Sequence, residues 1–235
     1  MSSKWIRIFS LLIVTFPMLF YAVEVNAMNT GFQTESITND NQETFTSYAN
    51  FSLILEEPVK SGITCFDVNE KEILAVGQGS GEAKTVCIYS SDGIFMYGYT
   101  FQCTGNFAVE WDNDKLNIYF VRSDIIASLT EDGTIVDVKR VQDTIPNNSY
   151  RNDLLYTTRQ VVGGNTYLIK NDMGILNVIA TSYSQVVRIH SNGTTKIIYD
   201  INSTQLANTW TVLIVVFIFA CSAIAIIAWR FIKPR

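Results

Sequence analysis

The sequence predicts an all-β fold made of repeated four-stranded antiparallel units. Three segments of about 40 residues each begin at a glycine and later contain a polar turn that ends in Asp-Gly or Asn-Gly. These turns, SSDG, TEDG and HSNG, end at Gly93, Gly133 and Gly193. Such pairs favour tight β-hairpins, because glycine readily adopts the positive φ that a short turn between twisted strands requires. Each segment then closes with a run of alternating apolar and polar residues, which is typical of a strand with one buried face.

The first 27 residues predict a secretory signal peptide. Lys4 and Arg7 precede an apolar run over residues 8–23, and the small residues of Val-Asn-Ala at 25–27 suit a signal peptidase. An uncleaved anchor helix is the alternative, and Pro17 disfavours it because it interrupts a run that is already short for a membrane span.

Residues 28–60 are predicted to form a polar, flexible arm with one strand at its end. The apolar residues of its first part lack a helical or strand period. The segment ANFSLILEEP, residues 49–58, is the first plausible strand, and Pro58 ends it.

The three repeats are predicted to span residues 61–103, 105–143 and 164–201. Each is expected to contain four strands joined by short turns. Residues 144–163 interrupt the period with a polar segment around DLLYTTRQVV, which predicts either a short helix or an additional strand at an edge of the fold.

This repeat pattern over residues 61–201 resembles the blades of β-propeller proteins. The resemblance implies that each four-stranded sheet packs face to face on the next. WD40 and kelch signatures are missing, since Trp111-Asp112 ends a first strand rather than a third. Closed propellers have about four to eight blades, so three copies predict a partial or open propeller. Three arrangements are then open. The repeats form an open stack capped by the arm and residues 144–163, or those segments supply a fourth sheet, or the repeats pair with a second chain. A β-sandwich of about twelve strands is the alternative fold.

The other end of the chain predicts one transmembrane helix over residues 210–229. After a juxtamembrane linker at 202–209, an uncharged apolar run lies between Trp210 and Trp229. About 20 helical residues cross the roughly 30 Å hydrocarbon core, and indoles suit its two interfaces. Arg230, Lys233 and Arg235 in the tail 230–235 favour the cytoplasmic side. We therefore expect a single-pass type I protein of the cell membrane, with most of its chain extracytoplasmic.

The composition of the expected exterior disfavours nucleic acid as a partner. Residues 28–209 hold 21 of the 22 acidic residues but only 12 of the 17 basic ones. An acidic surface repels polyanions, which are held mainly by phosphate neutralisation. Three of the four cysteines, Cys65, Cys87 and Cys103, lie in this region, without a CxxC or Cys/His pattern for zinc, and one disulfide among them remains an open alternative.

The segment ILAVGQGSGEAKT, residues 73–85, superficially resembles a phosphate-binding loop. Glycines are required at 78 and 83 for that motif, but Gln78 and Ala83 occupy these positions, and a β-rich run follows in place of a helix. We therefore expect no nucleotide binding. The segment is instead predicted to join the second and third strands of the first repeat as the longest of three equivalent connections. It is a predicted binding loop, comprising Gln78, Gly79, Ser80, Gly81, Glu82, Ala83 and Lys84.

The remaining polar motifs predict turns rather than catalytic or metal sites. Glu110, Asp112 and Asp114 form the densest carboxylate group, but they lack the full calcium-loop pattern and fit a hairpin turn better. His190, the single histidine, lies at the start of the HSNG turn without a catalytic motif around it. We expect no enzyme activity, cofactor or bound metal.

Four aromatic residues of the first repeat alternate along one predicted strand: Phe95, Tyr97, Tyr99 and Phe101. Alternation places the four rings on one face. They are then either part of the core between two repeats or, if the strand lies at an exposed edge, an interface for a partner.

The function predicted from these observations is a membrane-anchored, non-catalytic module that binds a protein or a cell-envelope polymer. Self-association into a homo-oligomer is a further expectation. One alternative is an accessory or sensor subunit of a membrane complex, because Ala220, Ser222, Ala223 and Ala225 give the span a stripe of small residues. The other is an extracytoplasmic hydrolase, for which the sequence shows no catalytic group.

Overall fold

The computed structural model describes residues 28–79 and 81–232, with backbone only for Ala228 and residues 230–232. The predicted signal peptide, Ser80, Lys233 and Arg235 lie outside the described residues. The strands are β1 Thr34–Ser36, β2 Ser52–Ile54, β3 Ile63–Val68, β4 Leu74–Gln78, β5 Ala83–Tyr89, β6 Phe95–Gln102, β7 Phe107–Asp112, β8 Lys115–Phe120, β9 Ile125–Leu129, β10 Ile135–Val141, β11 Arg159–Val162, β12 Asn165–Lys170, β13 Gln185–Ile189 and β14 Thr195–Asp200. The helices are α1 Asn39–Ala49, α2 Ile145–Tyr156 and α3 Asn202–Ile232, and Gly174–Ile179 is a 3-10 helix.

The strands form three antiparallel sheets, and the all-β prediction is confirmed. The first sheet has the order β2-β6-β5-β4-β3, the second β1-β10-β9-β8-β7, and the third β11-β12-β13-β14. In each sheet, the hairpin between the last two strands of the repeat contains one of the predicted turn glycines. These are Gly93, Gly133 and Gly193, with φ of +82°, +83° and +84°. Each of these residues donates its backbone N–H to the carbonyl oxygen three residues earlier, at 2.8 to 2.9 Å.

The sheets stack face to face in an open, propeller-like arrangement with the first sheet in the middle. One apolar cluster joins the first and second sheets and includes Tyr99, Phe101, Phe107 and Phe120. A second cluster joins the first and third sheets and includes Phe66, Tyr89, Tyr167 and Tyr199. Burying large aromatic and aliphatic side chains between sheets is the main source of stability in such a stack. The stack has three layers, in contrast to the two sheets of the alternative β-sandwich.

The third repeat differs from its prediction in where it begins and in its second strand. Its sheet begins at Arg159 rather than at residue 164, because β11 lies inside the predicted insertion. The segment GILNVI, expected to be a strand, is the 3-10 helix Gly174–Ile179. The connection between β12 and β13 therefore covers residues 171–184 and exceeds the one after β4, so the prediction that residues 78–84 form the longest equivalent connection was wrong.

The arm at 28–60 is more ordered than the sequence predicted. It contributes β1 to the edge of the second sheet and β2 to the edge of the first, with α1 between them. Strand β2 lies inside the segment 49–58 predicted as a strand, whereas β1 has only three residues and depends on pairing with a distant strand, which local patterns cannot reveal. Helix α1 buries only Phe45 and Ala49, and Thr38 before it makes no side-chain capping bond, so its sequence signal is weak.

Helix α2 and the start of the arm cover the outer face of the second sheet. Met28 and Phe32 of the arm pack there on Tyr119, together with Tyr150 and Leu154 of α2. The Thr144 side chain caps α2 by accepting a hydrogen bond from the Asn147 N–H, and a proline stands in the first turn, as helix starts favour. The open stack capped by the arm and by residues 144–163 is thus the arrangement that this chain adopts.

Helix α3 follows β14 almost directly and is long and apolar enough to cross a membrane. The most apolar 18-residue window within Asn202–Ile227 has a mean hydropathy of 2.8, and none of that window is buried against the rest of the described chain. The predicted linker 202–209 is helical and belongs to α3, because its polar residues continue the same backbone hydrogen-bonding pattern.

Candidate binding cleft at the ends of the first strands

Strands β3, β7 and β11 each begin one four-stranded repeat of the stack. All three converge on one polar cleft. Its volume is about 530 Å³. The ends of β3 and β7 provide Asp67 and Trp111, β11 provides Gln160, and α2 adds Tyr150. This cleft, which we call the axial cleft, is thus built from every sheet of the stack.

Asp67 connects the three sheets at the base of the axial cleft. One carboxylate oxygen accepts the Trp111 backbone N–H of the second sheet at 2.6 Å. The other accepts the Gln160 Nε2 of the third sheet at 2.6 Å and the Val68 N–H at 2.9 Å. Gln160 returns a second bond, because its Oε1 accepts the same Val68 N–H at 3.0 Å. Hydrogen bonds to a carboxylate are stronger than neutral ones, so this side chain ties the sheets together at one point.

Burial changes the acidity of Asp67. Removal from water disfavours its charged form and raises its pKa from 3.8 to about 6, despite the opposing hydrogen bonds from Trp111, Gln160 and Val68. The negative charge of Glu110 raises the pKa further, as a smaller contribution.

Glu110 fixes the start of the arm against the cleft. It accepts hydrogen bonds from the Tyr150 hydroxyl, from Thr30 Oγ1 at 2.6 Å and from the Gly31 N–H at 3.3 Å. Burial and the bond to Glu110 raise the pKa of Tyr150 above its usual range, so this phenol stays protonated and donates. The position of the arm along one wall of the cleft therefore depends on the Glu110 carboxylate.

The rim of the axial cleft is acidic. Its lining includes four carboxylates, Asp67, Glu70, Glu110 and Asp114, but only one basic residue, Lys71. Lys71 pairs with Asp114 at 2.6 Å, where both side chains are well exposed to water. The Trp111 Nε1 is buried beside the cleft and has no hydrogen-bond partner in the described part of the chain.

The axial cleft and helix α3 lie at opposite ends of the stack. At the beginning of β3, Ile63 and Tyr183 exchange backbone hydrogen bonds of 2.8 and 3.1 Å. The neighbouring Ser182 carbonyl accepts a bond of 3.0 Å from Gln205 of α3. Asp67 and Val68 stand at the other end of β3, about 16 Å away at 3.3 Å per residue.

Comparison with known proteins adds little to this description. Neither the family models nor the curated proteins gave a match. Among solved structures, the chain is similar to a catalytically inactive virginiamycin B lyase from Staphylococcus aureus determined with quinupristin. The similarity has 12% identity and a TM-score of 0.27, and it covers 64% of this chain and 46% of the lyase chain. This chain thus spans less than half of the lyase. Values this low carry no conclusion about activity, and the fold description rests on the sheets themselves.

The predicted binding loop is buried at its two ends and exposed in its middle. Gln78 is buried at the end of β4, where its Oε1 accepts from the Ser61 N–H at 2.7 Å and its Nε2 approaches Cys87 Sγ at 2.9 Å. Lys84 is also buried and donates to the Gly79 carbonyl at 3.2 Å. Among the described residues of this segment, only Gly81, Glu82 and Ala83 are exposed. The sequence alone does not show that its first and last polar residues pack inward.

The predicted aromatic interface is not on the surface. Tyr97, Tyr99 and Phe101 are buried between the first and second sheets, and β2 covers the edge of β6 that the interface hypothesis required to be free. Phe95 does not share their face. An irregularity in the register opposite Tyr89 turns it toward the second cluster, where its ring lies 5.8 Å from that of Tyr89.

The other sequence motifs form turns or inert core positions. In its predicted turn, the His190 carbonyl accepts the Gly193 N–H, and the His190 N–H donates to the Thr194 carbonyl. No three His, Cys, Asp or Glu residues in the described chain are close enough to hold a metal ion, and Glu110 and Asp112 instead bond to the arm. Cys65, Cys87 and Cys103 are free and buried, and burial raises the pKa of their thiols to about 12, 11 and 11.

Of the predicted membrane anchors, Trp210 and Trp229 lie on α3 with exposed side chains. The side chain of Arg230 is not described. The axial cleft itself was not predicted, since Asp67, Trp111 and Gln160 are far apart in the chain. The one available signal was the position of each near the end of a first strand or in the insertion.

Proposed function

We propose that this chain is a single-pass, membrane-anchored and non-catalytic binding module whose axial cleft takes a positively charged segment of a protein or cell-envelope polymer. The observation that carries this proposal is the position of the cleft at the end of β3 farthest from α3. With α3 in a membrane and the tail in the cytoplasm, the cleft faces outward into the extracytoplasmic medium. A partner could then approach it without contacting the bilayer.

The chemistry of the lining favours a cationic ligand. Asp114 offsets the charge of Lys71 at the rim, which leaves Glu70 there without a basic counterpart in the lining. The rings of Trp111 and Tyr150 also line the cleft, and aromatic faces attract lysine and arginine side chains. Electrostatic complementarity of this kind raises association rates and selects partners by charge.

A non-catalytic role is supported by how the carboxylates are engaged. Both oxygens of Asp67 and both of Glu110 accept hydrogen bonds from the protein. Neither is therefore free to serve as a general base without losing contacts that hold the sheets or the arm. The buried thiols, with raised pKa values, are poor nucleophiles.

Trp111 provides a direct test of ligand binding in the axial cleft. It is the sole tryptophan between residues 28 and 209, so replacing Trp5, Trp210 and Trp229 by Phe leaves one fluorophore beside the cleft. The full chain in lipid nanodiscs is titrated with an oligolysine peptide and, separately, with an oligoglutamate peptide. We expect a saturable change in Trp111 emission with oligolysine and none with oligoglutamate.

A matched pair of variants separates cleft binding from general attraction to an acidic protein. Glu70→Gln with Asp114→Asn removes two charges at the rim, whereas Asp40→Asn with Glu43→Gln removes two exposed charges on α1. The rim variant should weaken binding by about three- to tenfold, as expected for two partly screened charges, and the α1 variant should not. Equal weakening in both variants would refute a specific site.

A further inference from the structure

A group of exposed apolar side chains lies on two segments next to the start of helix α3. Val59 is 94% exposed, and the 3-10 helix adds Ile175 at 89%, Val178 at 90% and Ile179 at 51%. We call these four residues the apolar collar. Their exposure is costly in water, because it leaves the side chains of Val59, Ile175 and Val178 almost wholly hydrated and that of Ile179 about half hydrated.

The 3-10 helix holds its apolar residues outward through a fixed backbone. Met173 before it is buried, and its N–H donates to Asn177 Oδ1 at 2.9 Å. Gly174 has a φ of +59°, a conformation that glycine adopts without strain, and it turns the chain into the helix. Inside the segment, the Leu176 N–H donates to the Met173 carbonyl at 3.3 Å. The exposure of Ile175 and Val178 thus follows from a hydrogen-bonded structure.

Helix α3 is joined to the same region by side-chain hydrogen bonds. Asn202 accepts from Ser184 Oγ at 3.1 Å and donates to the Asp172 carbonyl at 2.9 Å. One turn later, Gln205 donates to the Ser182 carbonyl at 3.0 Å. The direction in which α3 leaves the module is therefore set by the connection that carries the 3-10 helix.

Two residues of the apolar collar, Val59 and Ile179, lie beside the part of α3 that becomes apolar. A cleft of about 650 Å³ lies between α3 and the module, and its lining includes Val59 and Ile179 together with Val212 and Leu213. These last two residues follow Trp210, the predicted interface residue, and belong to the uncharged run. At 1.5 Å per residue, Leu213 lies about 16 Å along the helix from Asn202.

We propose that the apolar collar inserts into the interfacial layer of the bilayer leaflet that α3 enters first, with lipid filling the cleft beside α3. The continuity of this cleft with the membrane-spanning helix identifies the bilayer as its occupant. Apolar side chains near a span gain free energy when they leave water for the interface. The module then sits against the membrane in a fixed orientation, with its axial cleft pointing away. This inference rests on the membrane span in the proposed function.

Site-directed fluorescence in nanodiscs tests the insertion. In a Cys221→Ser background, the full chain carries a single exposed cysteine at Val178→Cys, while the three core cysteines stay buried. An environment-sensitive dye is attached, and quenching is measured with nitroxide lipids labelled near the headgroup. Glu131→Cys, in the exposed TEDG turn of the second sheet, is the matched control for a site in water. Phe217→Cys, within the apolar run of α3, is the control for a site inside the membrane.

We expect the dye at 178 to emit at shorter wavelength than the dye at 131 and to be quenched severalfold more strongly. Equal quenching at 178 and 131 would overturn the insertion. If 217 is quenched by a second set of lipids with nitroxides deep in the acyl chains, and 178 is not quenched by the headgroup nitroxides, the collar alone fails and the span stands. If neither is quenched, the membrane span itself fails. Shorter-wavelength emission at 178 seen only in discs that hold two chains would assign the collar to a second copy and also overturn the proposal.

Discussion

The carboxylate of Asp67 in β3 accepts the backbone N–H of Trp111 in β7 at 2.6 Å. This bond joins the first strands of two stacked sheets beside the axial cleft. The same carboxylate accepts Gln160 of the third sheet, so one acidic group contacts all three layers. The protonation state of Asp67 should therefore affect the free energy of unfolding of the whole stack.

Asp67 should make stability depend on pH in a narrow window. Because its folded-state pKa of about 6 exceeds the usual 3.8, the folded protein keeps a proton that the unfolded chain has released between these values. The free energy of unfolding should therefore fall as pH rises through the window, by at most about 3 kcal/mol from this group. In Asp67→Asn, urea unfolding followed by Trp111 fluorescence should lack this slope. Parallel pH profiles for the two proteins would contradict the raised pKa.

Removal of the Gln160 side chain should loosen the third sheet from the first. Gln160→Ala leaves the Val68 N–H with only its bond to Asp67 and removes one bond to that carboxylate. We expect a loss of about 1–3 kcal/mol in the free energy of unfolding, measured by urea titration. Arg159→Ala, at the exposed neighbouring position of β11, should cost less than about 0.5 kcal/mol. A similar cost at both positions would argue against the bridging role.

Loss of the Glu110 carboxylate should release the start of the arm. Glu110→Ala removes the acceptor of bonds from Thr30, Gly31 and Tyr150. Amide hydrogen exchange of residues 29–33 should accelerate by about tenfold or more, as expected for a loss of more than about 1.4 kcal/mol. Glu56→Ala, an exposed change outside this network, serves as the control. Unchanged exchange in Glu110→Ala would show that packing alone holds the arm.

The buried thiols should be unreactive in the folded protein. Burial raises the pKa values of Cys65, Cys87 and Cys103 to about 12, 11 and 11, so the thiolate that attacks maleimide is nearly absent at neutral pH. Mass spectrometry should find these three cysteines unmodified after maleimide treatment of the folded chain, and all three modified after unfolding without a reductant. A pair that reacts only after reduction would reveal a disulfide.

The elements that the sequence predicted well are those with local signals. The turns at Gly93, Gly133 and Gly193 need positive φ, and the long apolar run of α3 needs no tertiary context to be identified. Strand β2 lies within the segment 49–58 that the sequence predicts as a strand, whereas β1 has no such signal, because it exists only through pairing with β10.

The axial cleft was not predictable for a related reason. Asp67 and Gln160 meet only because β11 begins the third sheet and places its side chains beside β3. The sequence period assigned the residues of β11 to an insertion before the third repeat. Similarly, Gln78 and Lys84 belong to the predicted binding loop, but both side chains are buried, where Gln78 accepts the Ser61 N–H and Lys84 donates to the Gly79 carbonyl. A polar residue in the sequence indicates an exposed side chain only when the fold offers that side chain no buried hydrogen-bond partner.

The central claim, a module that displays its axial cleft outside the membrane, is tested most directly by labelling in intact cells. Two proteins are compared in a Cys221→Ser background, Glu70→Cys at the rim of the cleft and Pro234→Cys in the tail, and in both Cys65, Cys87 and Cys103 stay buried. A membrane-impermeant maleimide should modify Glu70→Cys before permeabilisation and Pro234→Cys only afterwards. Modification of Pro234→Cys in intact cells, with Glu70→Cys protected until permeabilisation, would contradict the account.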